Sequence, residues 1–216
     1  RRVRRVLDVA CGGGRHIVGL AQRGYTCVGQ DFTLDRVAVT RARAKRAGVS
    51  PQILQGDATK LRYAAEFDAV LALYILFLLP SDADALRCIR RARRALRRGG
   101  VFVCNVFNPF SSGPRSFGRM VQGERQVEES RAQGIRMTDI SQFRDIDRVR
   151  GWGWISETSF IEAPDGPHVF RDRERVRFFT YWDVRRLLET AGFHDVACYP
   201  DWTMKPPRRP EAKQLV

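Results

Sequence analysis

Short apolar runs alternate with stretches of helical pattern through the first half of the chain. Residues 3–10 predict a short buried strand, and residues 15–23 a helix that Gly24 would end in the left-handed conformation open to glycine. "YTCVGQD" predicts a second strand ending in Asp31, after which Thr33 is placed to cap a helix over 34–47, with Gly48 beyond it. "QILQGDA" reads as a third strand. "FDAVLALYILFLL" reads as a fourth, apolar after Asp68, as parallel strands covered on both faces require. Ser81 and Asp84 form a capping pattern for an arginine-rich helix stopping at Gly99 and Gly100, and "VFVCNVF" follows as strand five. This alternation predicts an α/β fold, a doubly wound, mostly parallel sheet with ligands at the carboxyl ends of its strands.

From Asn108 to Phe179 the pattern changes. "GWGWISETSFIEAPDGPHVFRDRERVRFF" alternates on both sides of Pro164, Asp165 and Gly166, which predicts an antiparallel hairpin. Thr180 then caps "YWDVRRLLETA", Gly192 ends that helix, and "HDVACYPDW" reads as a further strand. The expected division is a ligand-binding α/β core over 1–107, an inserted antiparallel β subdomain over 108–179, and the C-terminal part of the core over 180–216.

A chain of 216 residues, 44% hydrophobic, is long enough to bury such a core. No apolar run reaches the roughly 18 residues that span a bilayer. Arg1, Arg2, Arg4 and Arg5 at the start do not resemble a signal peptide, so a cytoplasmic location without a membrane partner is expected. Cys11, Cys27, Cys88, Cys104 and Cys198 are scattered and read as buried thiols. His16, His168 and His194 lie far apart, and no metal is expected. The net charge of +14 raises a polyanionic partner. Yet only four of the 38 basic residues are lysines, which reads as a chain-wide arginine bias. Arg87, Arg90, Arg91, Arg94 and Arg98 share a helix face and read as a solvated surface, so a nucleic-acid partner is not expected.

The candidate chemistry sits in "VLDVACGGGRH", a glycine run directly after the first strand. A phosphate-binding loop needs a lysine and a hydroxyl after its last glycine, where this chain has Arg15 and His16. The dinucleotide fingerprint needs a small residue where this chain has Ile17. Asp8 would sit awkwardly against a pyrophosphate and suits a cofactor carrying positive charge. On Asp8, Ala10, Gly12 and Gly14, on Asp31 in "VGQDFTLDRV", and on Asp57 and Ala58 in "QGDAT", the chain resembles the class I S-adenosylmethionine-dependent methyltransferases over nearly its whole length.

The resemblance implies a seven-stranded Rossmann-like sheet and S-adenosylmethionine as cofactor. Asp31 would accept hydrogen bonds from both ribose hydroxyls. Asp57 would accept from the adenine amino group while the Ala58 amide faces a ring nitrogen, and Phe32 would pack on the adenine or in the core. His16 reads as a first-turn helix residue rather than a base. Family members that methylate base amines often carry an Asn/Asp-Pro-Pro-aromatic motif after strand four, where this chain reads "ALYILFLLPSD". "FNPF", from Phe107, follows strand five instead and reads as the turn into the insertion. A strand-rich insertion at that place is similar to the subgroup acting on small molecules, so a small-molecule N- or O-methyltransferase is expected, as a monomer or homodimer. The alternatives are an RNA or protein methyltransferase, supported only by charge, and a non-catalytic cofactor-binding module.

Cofactor motifs at strands one to three leave the side beyond strands four and five for the acceptor. Tyr74 and Asn108 are placed to face it, Tyr74 against the cofactor as well. In the hairpin, Trp152, Trp154 and Phe160 share a strand face expected to form a lid over the acceptor. No catalytic residue is assigned; His168 and Tyr74 are the candidates if a base is required. Family members carry one or two helices before strand one, and "EAKQLV" resembles the start of the seventh strand, so the chain is expected to be a piece of a longer protein.

Overall fold

The computed structural model describes residues 2–108, 118–132 and 135–199. Strands β1 (Arg5–Asp8), β2 (Thr26–Asp31), β3 (Gln52–Gln55), β4 (Phe67–Ala72) and β5 (Leu96–Cys104) form a parallel sheet in the order β3-β2-β1-β4-β5. Helices α1 (Arg15–Gln22), α2 (Leu34–Arg46), α3 (Asp82–Ala95) and α4 (Tyr181–Thr190) cover it. Alternation along β1 sorts the core onto two faces. Val6 joins a cluster with Ile17 and Val18 of α1 and Val37 and Ala44 of α2. Its neighbour Leu7 joins Cys88, Ile89 and Ala92 of α3 and Val184 and Leu188 of α4. Strand order reverses at β1, so the crevice for a ligand opens at its carboxyl end.

Most element ends follow their expected signals. Ser81 caps α3 by accepting from the Asp84 N–H at 3.1 Å, and Thr180 and Asp183 close a reciprocal capping box on α4. Thr33 takes the N-cap position of α2 with extended backbone but without a side-chain bond. Helix α3 ends at Ala95, before the expected Gly99 and Gly100, because Leu96 already pairs with Phe67. Residues 97–100 then bulge out before Val101 pairs with Ala69. The buried Asp68 carboxylate anchors the bulge to β1, accepting from the Arg4 and Arg5 N–H groups at 3.1 and 2.9 Å and from Arg97 at 3.3 Å.

The strand expected in "HDVACYPDW" is absent over residues 194–199; residues 200–202 and "EAKQLV" lie outside the described residues. Phe193, Val196 and Cys198 pack on the main core through their side chains instead of joining the ladder, and Phe193 stacks on Phe102 at 5.2 Å. The parallel sheet therefore has five strands among the described residues. Cys11, Cys27 and Cys88 are buried thiols as expected, whereas Cys104 and Cys198 are only partly buried.

Between β5 and α4 the chain builds a second, antiparallel sheet from β6 (Arg125–Ala132), β7 (Ile135–Asp147), β8 (Trp152–Ala163) and β9 (Gly166–Arg177). Strands β8 and β9 are the expected hairpin, with Ala163 opposite Gly166. Phe143 and Val176 seat this sheet on Met120 and Phe178, and Phe107 stacks on Phe143 at 5.5 Å. Arg177 is the polar tie. Its Nε donates to Asp82 at 2.9 Å at the start of α3, and its Nη1 donates to the carbonyls of Gly151 and Phe178. Among the described residues no helix is long and apolar enough to cross a membrane.

Gly14 shows how tightly the first loop is built. It is the N-cap of α1 at φ 80°, and a Cβ there would lie 2.7 Å from the fully buried Thr40 side chain. Gly14→Ala is expected to cost about 3 kcal/mol, from left-handed strain plus overpacking. Gly48→Ala, at φ 67° with open space around it, should cost only about 1 kcal/mol. Urea unfolding of the two variants checks the difference.

Candidate functional site

A cleft of about 1260 Å³ opens where β1, β2, β3 and β4 end. The loop after β1 is pinned to β2: the Cys11 N–H donates to the Gln30 carbonyl at 2.8 Å, and the Gly12 N–H to Asp31 Oδ2 at 2.8 Å. Asp31 Oδ1 accepts from the Thr33 N–H at 3.0 Å, and the Asp31 carbonyl accepts from the Gly56 N–H at 2.9 Å. One buried residue thus joins three strand ends. The Thr40 hydroxyl holds the loop from behind, donating to the Gly12 carbonyl at 2.6 Å.

Seven expected cofactor residues, Ala10, Gly12, Asp31, Phe32, Asp57, Ala58 and Tyr74, come together on the cleft wall. Phe32 is 73% exposed, which removes the core alternative for its ring. Asp57 caps a one-turn helix over Ala58–Lys60, accepting from the Thr59 N–H at 2.8 Å, with Lys60 3.3 Å away. Burial alone would raise its pKa, but the bonds from Thr59 and Lys60 prevail and hold the carboxylate below its ordinary value. Tyr74 sits at φ 58°, a left-handed conformation costly for an aromatic residue, and its N–H donates to Asn105 Oδ1 at 2.7 Å.

Asp8 and Gly14 do not line the cleft. Gly14 packs on Thr40. Asp8 lies beneath the loop at 1% exposure, its Oδ1 accepting from the Ala10 N–H at 3.4 Å. Desolvation, opposed by that bond and reinforced by the charge of Asp31, pushes the Asp8 pKa up to about 7.

Asn108 lines a second cavity, of about 400 Å³, between Phe107 and the antiparallel sheet. Trp152 and Trp154 do not reach either cavity. Side chains alternate along β8, so Ile155 and Glu157 take the cavity face, and the tryptophans turn away beneath Arg175 and Arg173, at 4.2 and 4.7 Å from the ring centroids. His168 sits at the hairpin turn, 3.2 Å from Asp165, away from both cavities. Of the two candidate bases only Tyr74 borders the cleft. Among the described residues, no cluster of His, Cys, Asp and Glu side chains could hold a metal ion.

Sequence reasoning gave Arg15 and His16 no part in the site and passed over Arg36, Thr59 and Glu174, yet all five line the cleft. His16 is a first-turn residue of α1, as expected, and faces the cleft as well. Burial, then the Arg15 charge, lowers its pKa and keeps the ring neutral near pH 7. Asn105, which orders Tyr74, was hidden inside an apolar run.

Residues 6–100 match the family model of a methyltransferase domain. The ubiquinone biosynthesis O-methyltransferase of Dinoroseobacter shibae is 31% identical over 193 residues, covering 89% of this chain and 60% of the relative. That of Cereibacter sphaeroides is 32% identical over 124 residues, 57% of this chain and 48% of the relative. The chain thus spans about half the length of these curated relatives. Among solved structures, the CcbJ methyltransferase of Streptomyces caelestis superposes with TM-score 0.74 at 19% identity, over 98% of this chain and 81% of that one. An amino pentose methyltransferase of calicheamicin biosynthesis from Micromonospora echinaspora, solved with S-adenosylmethionine bound, gives 0.69 at 22% identity, over 88% and 75%. Residues 6–100 thus match a methyltransferase domain, on a fold shared with solved S-adenosylmethionine-dependent methyltransferases.

The raised Asp8 pKa has a consequence for stability. The folded chain binds this proton up to about pH 7, whereas the unfolded chain releases it near the ordinary value of 3.8. The unfolded state therefore binds fewer protons in between, and stability should fall as pH rises from about 4 to about 7. Asp8→Asn should flatten that part of the profile. Denaturant midpoints of both proteins across this range check it.

Proposed function

We propose that the protein is an S-adenosylmethionine-dependent methyltransferase that transfers a methyl group to N or O of a small-molecule acceptor by in-line displacement. The observation that carries this reading is the joining of Gly12, Asp31 and Asp57 on one cleft wall. The cofactor presents a cation, a ribose and an adenine, and this donor set fits it: Asp31 retains lone pairs for the ribose hydroxyls, and Phe32 offers an exposed ring for the adenine. The Gly12 backbone is open to close approach, since only the Arg36 guanidinium would meet a Cβ there, at 3.6 Å. Arg15 and neutral His16 at the start of α1 suit a carboxylate. When bound, the cofactor supplies a methyl group on a sulfonium leaving group.

The chain's own contribution is positioning and exclusion of water. Tyr74, fixed by Asn105, borders the cleft where the acceptor would enter. Residues 1–107 and 180–216 would form the core, seven-stranded in the whole protein, and residues 108–179 the roof that selects the acceptor. The exposed edge of β5, with Val101 half exposed, supports a sheet that continues beyond it. The O-methyltransferase names of the curated relatives and the sugar acceptor of the solved neighbour support a small molecule over a polymer.

Transfer of a tritiated methyl group from S-adenosylmethionine to a panel of phenols, amino sugars and amino acids tests this function. Labelling of one acceptor class above background is expected. Labelling of RNA or protein alone would contradict the reading, and so would cofactor binding without transfer to any class.

A further inference from the structure

Charge on the antiparallel sheet is divided unevenly between its faces. Residues directly opposite in an antiparallel pair share a face. The pairs Glu128–Asp139, Ser141–Glu157, Glu157–Asp172 and Ile155–Glu174 therefore put five carboxylates on one side. The opposite side carries Arg136, Arg144, Arg171, Arg173 and Arg175 with the two tryptophans, together with two acids, Glu129 and Glu162. A chain with 38 basic and 24 acidic residues would not collect acids this way by composition.

The acidic side encloses the second cavity. Glu128, Asp139 and Glu157 share its lining with the apolar Phe107, Phe143 and Ile155, and among the described residues none that lines it is basic. Among the described residues these three carboxylates make no ion pair; Asp139 accepts from the Ser159 hydroxyl. Partial burial, then the charges of Asp139 and Asp172, hold the Glu157 carboxyl above its ordinary range, as like charges gathered without a basic partner among the described residues do. Its 400 Å³ is of the size that takes a small organic ligand.

The cavity adjoins the cleft. Tyr74 on the cleft wall meets Phe77 edge-on at 6.4 Å, and Phe77 meets Phe107 at 6.4 Å. From above, Glu174 lines the cleft while its cross-strand partner Ile155 lines the cavity.

We propose that this cavity is the acceptor subsite, and that Asp139, Glu157 and Glu128 select an acceptor bearing an ammonium group while the apolar side chains take its carbon frame. The inference rests on the reading of the neighbouring cleft as the cofactor site of a small-molecule methyltransferase. The anchored ammonium need not be the atom that is methylated.

Calorimetric titration of the full chain with matched probes tests it: glucosamine against glucose and glucuronate, and dopamine against catechol. S-adenosylmethionine is titrated separately, so that a failed cofactor site and a failed acceptor subsite give different results. The ammonium probes should bind at least about tenfold more tightly than their neutral partners, as a charge-assisted hydrogen bond allows. Glu157→Gln and Asp139→Asn should each lose most of that preference with cofactor affinity unchanged. Should Asp139→Asn melt early through loss of the Ser159 bond, Glu157→Gln and Glu128→Gln carry the test. Equal or tighter binding of neutral or anionic probes would overturn the proposal. So would absence of ammonium-probe binding to the unmodified chain, or a preference that survives in folded variants.

Discussion

The Asp31 carboxylate is the constraint on which the cleft depends. It terminates β2, and each of its oxygens accepts a backbone N–H, from Gly12 on one side and Thr33 on the other. Its carbonyl accepts from Gly56 after β3. A parallel sheet fixes where strands end but leaves the loops beyond them free, and here one residue, through its carboxylate and its backbone carbonyl, sets the spacing of three such loops. The remaining lone pairs of a carboxylate stay directed at whatever enters the cleft. The same group organises the wall and, under the proposed function, would recognise the ligand, which neither an amide nor a hydroxyl could do with two backbone donors already in place.

Around this point charge is used unevenly. The arginine-rich face of α3 points outward, and its Ala85, Cys88, Ile89 and Ala92 fill the core. Arg177 instead lies inside the structure and joins the antiparallel sheet to α3 through Asp82. Acids gather on the inner face of the second sheet, whereas the cleft wall mixes Asp31, Asp57 and Glu174 with Arg15, Arg36 and Lys60. A high net positive charge therefore says little about the partner of this chain; the local sign at the cavities says more.

Much of the parallel sheet could be read from the chain because parallel strands buried on both faces leave apolar runs such as that of β4, interrupted by Asp68 alone, and glycines or capping residues mark the helix ends. Strands β6 and β7 left no such trace. "RQVEESRA" holds one large apolar residue, and β7 breaks its alternation at a bulge between Arg144 and Asp147. The tryptophans show a subtler limit. Spacing places Trp152 and Trp154 on one face, but which face meets the core is settled by the packing of Phe143 and Val176 and by the arginines of β9. Likewise Asp8 and Asp31 both end strands with an acid, and only the three-dimensional loop turns one beneath the wall and the other onto it.

The central claim is that Asp31 both builds the wall and binds the cofactor. Calorimetric titration of S-adenosylmethionine into folded Asp31→Ala and Asp31→Asn tests it most directly. The account predicts affinity reduced at least about tenfold in both, since a charged hydrogen bond contributes about 1.5–3 kcal/mol. The asparagine should give no rescue, because its NH2 group would face a backbone donor. Unchanged affinity in either variant, with secondary structure and melting temperature retained, would contradict it.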